Sequence, residues 1–107
     1  MERVYLAGFD VFRQDAVQQG EHLKRVCAHH GMVGIYPLDN ELPVGLAGHK
    51  AARWVAEQNI RLLRSADAVL TNLNNFRGAE PDSGTVYETG VAQALGIPVW
   101  AYFGPLK

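Results

Sequence analysis

The chain is poor in the features that would single out most function classes. Cysteine occurs once, as Cys27, which excludes an internal disulfide and a cysteine cage for a metal. Its place on the apolar side of a helical stretch marks it as a buried structural thiol. Neither sign of charge prevails: 10 basic and 11 acidic residues leave a net charge of -1. There is thus no basic field to hold a phosphate backbone, and nucleic acid is not an expected partner. No apolar run reaches the roughly 18 residues that a bilayer span needs, and Met1-Glu2-Arg3 opens no signal-peptide pattern. The expectation is a cytoplasmic protein with no membrane contact. His22, His29, His30 and His49 stand at no metal-ligand spacing. Gly8-Phe9-Asp10 lacks the Gly-x-Gly-x-x-Gly spacing of a dinucleotide site, and there is no Walker-type loop. Neither a metal nor a cofactor is expected.

What is present suits one small globular domain over residues 1–107, since 48% of the residues are hydrophobic and no repeat or linker-like stretch divides them. Arg3 to Ala7 is an apolar run closed by Gly8, the pattern of a central strand buried on both faces. Ala16, Val17, Leu23, Val26 and Cys27 recur at helical spacing over about Asp15 to His30, and Gly31 supplies the stop. Val33 to Tyr36 reads as a second strand, and Pro37 to Gly48 as an irregular loop. Ala52, Val55, Ala56, Ile60 and Leu63 share one face of a helix over about His49 to Arg64. Ala66 to Leu73 gives a third strand, Asn74 to Ser83 a loop, Gly84 to Leu95 a third helix stopped by Gly96, and Ile97 to Phe103 a fourth strand. Strands that alternate with helices predict an α/β fold: a flavodoxin/Rossmann-like open parallel sheet of about four to five strands with helices on both faces. Trp54 and Trp100 read as core or subunit-contact residues.

Ligands of such sheets bind beyond the carboxyl ends of the strands. The loops at Gly8–Asp15, Pro37–Gly48 and Asn74–Glu88 are therefore the candidate binding segments. In the last of them Asp82 and Glu88 flank a loop-to-helix junction, so both carboxylates can face one crevice. Glycosidic bond cleavage commonly uses two such groups, one attacking the anomeric carbon and one handling the leaving group's proton. Proximity to the positive end of the helix would favour an ionised Glu88. The same residues have a purely structural reading. Thr85-Val86-Tyr87-Glu88 fits a capping box with the glutamate bonded back to the helix start, Asp82 suits a turn or N-cap, and Gly84 suits a flexible joint. On the local pattern alone, capping is the stronger of the two.

Tyr5-Leu6-Ala7-Gly8, Asp67-Ala68-Val69, the stretch Asn75 to Thr85, Glu88-Thr89-Gly90-Val91-Ala92 and Gly96-Ile97-Pro98-Val99 together resemble the nucleoside 2-deoxyribosyltransferase family over nearly the whole chain. Phe76 to Gly90 is the most specific part, with the Phe-Arg-Gly loop of Arg77, the Asp-x-Gly-Thr turn of Gly84 and the Glu-x-Gly helix in the family's order. The resemblance implies that Glu88 attacks the sugar and forms a covalent deoxyribosyl intermediate, while Asp82 contacts the base and assists proton transfer. It also implies substrate contacts from Tyr5, Gly8 and Phe12, and from Asn59 where several members carry an aspartate. Tyr5 and Phe12 read equally as core aromatics, and Asn59 as a polar residue on the exposed side of its helix. The partners implied are a small-molecule nucleoside and a nucleobase, with a homo-oligomer as the assembly. Family members continue past the strand matched by Ile97 to Phe103 into a segment that supplies an asparagine to the sugar hydroxyls. With Lys107 as the last residue, either such a segment is missing here or the sugar pocket is completed differently. Two other functions fit the same residues: a hydrolase that passes the sugar of a nucleoside or nucleoside monophosphate to water, and a non-catalytic nucleotide-binding module.

Overall fold

The computed structural model describes residues 2–37, 43–76 and 78–104. Along the chain run β1 (Glu2–Ala7), α1 (Ala16–His29), β2 (Met32–Ile35), α2 (Gly48–Arg64), β3 (Ala68–Asn72), α3 (Ser83–Ala94) and β4 (Val99–Tyr102), with a 3-10 turn at Phe9–Phe12. The strands form one parallel sheet in the order β2-β1-β3-β4. Every predicted element is present, with ends displaced by at most two residues.

Side chains in β1 alternate between two cores, as the pleat requires. Val4 and Leu6 pack with Leu23 and Cys27 of α1 on one face. Tyr5 and Ala7 pack on the other with Leu63 of α2 and Ala92 of α3. Helices therefore cover both faces, as expected. The chain leaves β1 to one side for β2 and returns on the other for β3, so the direction of winding reverses between these two strands. Their carboxyl ends meet in register, Ala7 opposite Thr71, which is where such sheets open a crevice.

The apolar faces do less core packing than their periodicity suggests. Val17 of α1 is exposed, and of the α2 stripe only Leu63 is fully buried. Trp100 is 70% exposed on β4, so it takes no part in the core of this chain. Cys27 is buried, as expected. No helix among the described residues is long and apolar enough to cross a membrane, and no described cluster of His, Cys, Asp and Glu has a metal site's arrangement.

Gly20 shows how closely α1 lies on the sheet. The ring of Tyr36 crosses the helix here, with its hydroxyl donating to the Ala16 carbonyl at 3.2 Å. A Cβ at residue 20 would stand 2.6 Å from the ring. Gly20→Ala gains about 1 kcal/mol of helix propensity but overpacks a buried ring, which costs about 1–3 kcal/mol. The substitution is expected to lower stability in urea unfolding, whereas an exposed mid-helix glycine would give the reverse.

Candidate active site

The crevice at the β1/β3 ends is bounded by three elements. Gly8 follows β1, Asp82 caps α3, and α2 forms the opposite wall. The cleft has a volume of about 460 Å³ and is lined by both carboxylates, Asp82 and Glu88, together with Gly8, Asn59, Gly84 and Thr85. Ala51, Ala52, Val55, Ala56 and Ile60 give it an apolar side. The stripe that looked like core in the sequence is thus largely the wall of a cavity. Periodicity reports that one helix face is apolar, not what that face meets.

Each carboxylate is held differently. Asp82 is the N-cap of α3: its Oδ2 accepts from the Thr85 amide at 3.0 Å and from the Thr85 hydroxyl at 3.0 Å. Glu88 lies further along the helix and does not bond back to the helix start, contrary to the capping-box pattern. The cap falls on Asp82 because the helix begins at Ser83, which moves Glu88 beyond reach of the free amides. Glu88 instead accepts, through Oε2, a 2.8 Å hydrogen bond from the hydroxyl of Tyr5. Tyr5 is fully buried in the central strand. It is both a core aromatic and a site residue, two roles the sequence had set against each other.

Burial holds the Glu88 carboxyl above its ordinary value near 4.5; the Tyr5 hydrogen bond pulls it back, and the charge of Asp82 pushes it further up. The expected stabilisation of the anion by the helix terminus is therefore outweighed by desolvation. The Tyr5 hydroxyl is itself raised far out of the titrating range by burial and by Glu88. It stays protonated as a fixed donor. The result is a poorly solvated carboxylate aimed into an apolar cleft, with one oriented hydrogen bond and a second carboxylate close by, an arrangement suited to nucleophilic attack with proton transfer at the leaving group.

Of the other expected residues, Asn59 lies half-buried on the α2 wall and Gly84 beside Asp82, both in the cleft. Gly8 is there because nothing larger fits: a Cβ would come 2.7 Å from Asp10 and 2.8 Å from Asn72. Arg77 and the side chain of Phe12 lie outside the described residues, as do residues 38–42 of the second loop. Sequence reasoning missed the α2 wall and the buried pair Asp10 and Asn72, in which the Asn72 amide donates to Asp10 at 3.2 Å. An acidic residue two positions after a strand-closing glycine was the available signal. This pair clasps the loop after β1 to the end of β3, and Phe9 stacks on Phe76 at 5.2 Å across the same two loops. A separate cavity of about 410 Å³, lined by Asp10, Asn72 and Tyr102, contains neither Glu88 nor Asp82.

Two outcomes follow from the state of Glu88. Between the ordinary value and the raised one the folded chain binds more protons than the unfolded chain. This group's contribution to stability is therefore full below about 4.5 and is lost as pH rises through the folded value. Glu88→Gln is expected to melt higher than the parent at pH 7, with the gap closing at pH 4. Tyr5→Phe removes the one interaction that lowers the Glu88 pKa, and an NMR titration of the Glu88 carboxyl should place its midpoint higher than in the parent. An unchanged midpoint would mean that this hydrogen bond does not act on the carboxylate.

Comparison with known proteins bears on the fold and the family. A search of solved structures finds the 2-desoxiribosyltransferase of Leishmania mexicana, with a TM-score of 0.81 and 29% identity over 100% of this chain and 67% of that one. The 2-deoxyribosyltransferase of Bacillus psychrosaccharolyticus shares the fold, with a TM-score of 0.76 and 22% identity over 98% of this chain and 76% of that one. An uncharacterised protein of Schizosaccharomyces pombe is 34% identical over 99 residues, 90% of this chain; the chain spans 47% of that relative's length. The family model for nucleoside 2-deoxyribosyltransferase matches residues 4–105, and the chain belongs to that family.

Proposed function

We propose that the protein is a nucleoside 2-deoxyribosyltransferase that moves the sugar of a 2′-deoxynucleoside to another nucleobase through a covalent intermediate on Glu88. The observation that carries this reading is the pairing of Tyr5 with Glu88 inside a cleft shared with Asp82. In the first half-reaction a Glu88 oxygen bonds to the anomeric carbon as the carbon–nitrogen bond breaks. The bond's electron pair stays on the base, which takes a proton from Asp82. In the second half, a new base gives its proton to Asp82 while its nitrogen displaces Glu88 from the sugar. The two steps mirror each other, so one pair of carboxylates serves both.

The lining also supports an uncharged sugar over a phosphorylated one. Among the described residues that line the cleft there is no Lys, Arg or His to set against a phosphate, while two carboxylates are present. The flat apolar side from Ala51, Ala52 and Val55 suits the face of a base. We also take the working form to be a homo-oligomer, supported by the exposed apolar residues Val55, Val86 and Tyr87 around the cleft.

Incubation with a 2′-deoxynucleoside and a second free base should give the exchanged nucleoside, read by chromatography. Free deoxyribose without exchange would assign the chain as a hydrolase, and absence of all turnover would favour a binding module. A 2′-deoxy-2′-fluoroarabinosyl nucleoside, whose fluorine slows release of the sugar, should leave the sugar's mass on the peptide that contains Glu88. Glu88→Ala should abolish both exchange and labelling; turnover that survives it would remove Glu88 from the mechanism.

A further inference from the structure

Thr85 is 1% exposed and touches Asp82 twice, through its amide and its hydroxyl, both on the same oxygen, Oδ2. An N-cap needs only the amide. The hydroxyl is an additional donor, and its effect is to fill the second acceptor position of that oxygen. Glycine at position 84 leaves Oδ2 room for this pairing, since a Cβ there would lie 3.2 Å from it. A proton placed on Oδ2 would have to displace one of two 3.0 Å hydrogen bonds, whereas among the described residues none is found to Oδ1.

Thr85 is itself anchored. Its carbonyl accepts from the Thr89 hydroxyl at 2.8 Å, and Thr89 lies 3.0 Å from the Thr71 hydroxyl in β3. A hydroxyl has one proton, and that of Thr89 goes to the carbonyl, so Thr71 is the donor to Thr89. Asp82 is thereby tied through Thr85 and Thr89 to a fully buried position of the sheet. Glu88 stands between the two threonines on the helix.

We propose that Thr85 is a positioning residue for the reaction: its hydroxyl holds Oδ2 of Asp82 and so leaves Oδ1 as the oxygen that exchanges a proton with the base. The proposal rests on Asp82 being the group that handles that proton. General acid–base catalysis contributes about 10²–10⁴-fold, and a misplaced acid forfeits part of it.

The test uses full-length protein and two pairs of substrates, 2′-deoxyuridine with 5-fluoro-2′-deoxyuridine and 2′-deoxyadenosine with 2-fluoro-2′-deoxyadenosine. Fluorine makes the base a better leaving group that depends less on a proton. Thr85→Val keeps the shape and the amide cap while removing the hydroxyl. Its kcat is expected to fall on the order of 10-fold on the unfluorinated member of the accepted pair and far less on the fluorinated one. KM should change little, Asp82→Asn should show the same selectivity more strongly, and Thr85→Ser should recover most of the loss. Retained turnover of the fluorinated substrate shows that the variant is folded. An equal loss on both members, or no loss, in Thr85→Val while Asp82→Asn remains selective would overturn the role of Thr85 alone. Loss of selectivity in Asp82→Asn would overturn the reading of Asp82 and this proposal with it.

Discussion

The hydrogen bond from Tyr5 to Glu88 is the constraint on which the site depends. It joins the central strand to α3 and fixes the carboxylate against a buried hydroxyl that does not titrate in the working range. Without a donor there, desolvation would push this half-buried carboxyl further toward its neutral form. With a stronger partner, such as a cation, the charge would be satisfied and its nucleophilicity reduced. A single neutral donor lies between these limits and leaves the anion oriented and only partly compensated.

Most of the fold was legible because the signals for it are local. Apolar runs, glycine stops and uninterrupted helical spacing located seven elements, and their alternation implied the parallel sheet. The site was legible in a different way. Glu88 and Asp82 stand out only as members of a family motif, because the local pattern gives equal or better support to capping. In the structure one residue takes the cap and the other does not, a distinction that turns on whether the helix starts at Ser83 or three residues later. What the sequence hid was burial. The stripe Ala52, Val55 and Ala56 has the periodicity of a core face yet lines a cleft, and Trp100 has the chemistry of a core residue yet faces outward. Both depend on what lies opposite in three dimensions.

Asp82 and Glu88 show two ways of keeping a reactive acid in a small domain. Asp82 earns its place twice over, since the bonds that orient it also terminate a helix, a net gain of about 1 kcal/mol for a good cap. Glu88 is the opposite case, a half-buried acid whose raised pKa weakens the fold at neutral pH. The helix that carries Glu88 is thus secured at its start by Asp82, and the stabilising acid and the destabilising one lie on the same element.

The pairing of Tyr5 with Glu88 also spans 83 positions of the chain, and contacts at such separation close late because the intervening loop entropy must be overcome first. Glu88 acquires its donor only when β1 and α3 have found each other across the sheet. Partly folded forms therefore carry a solvated, ordinary glutamate with no oriented partner. The oriented state of this carboxylate is thus a property of the assembled sheet and not of any local segment of the chain.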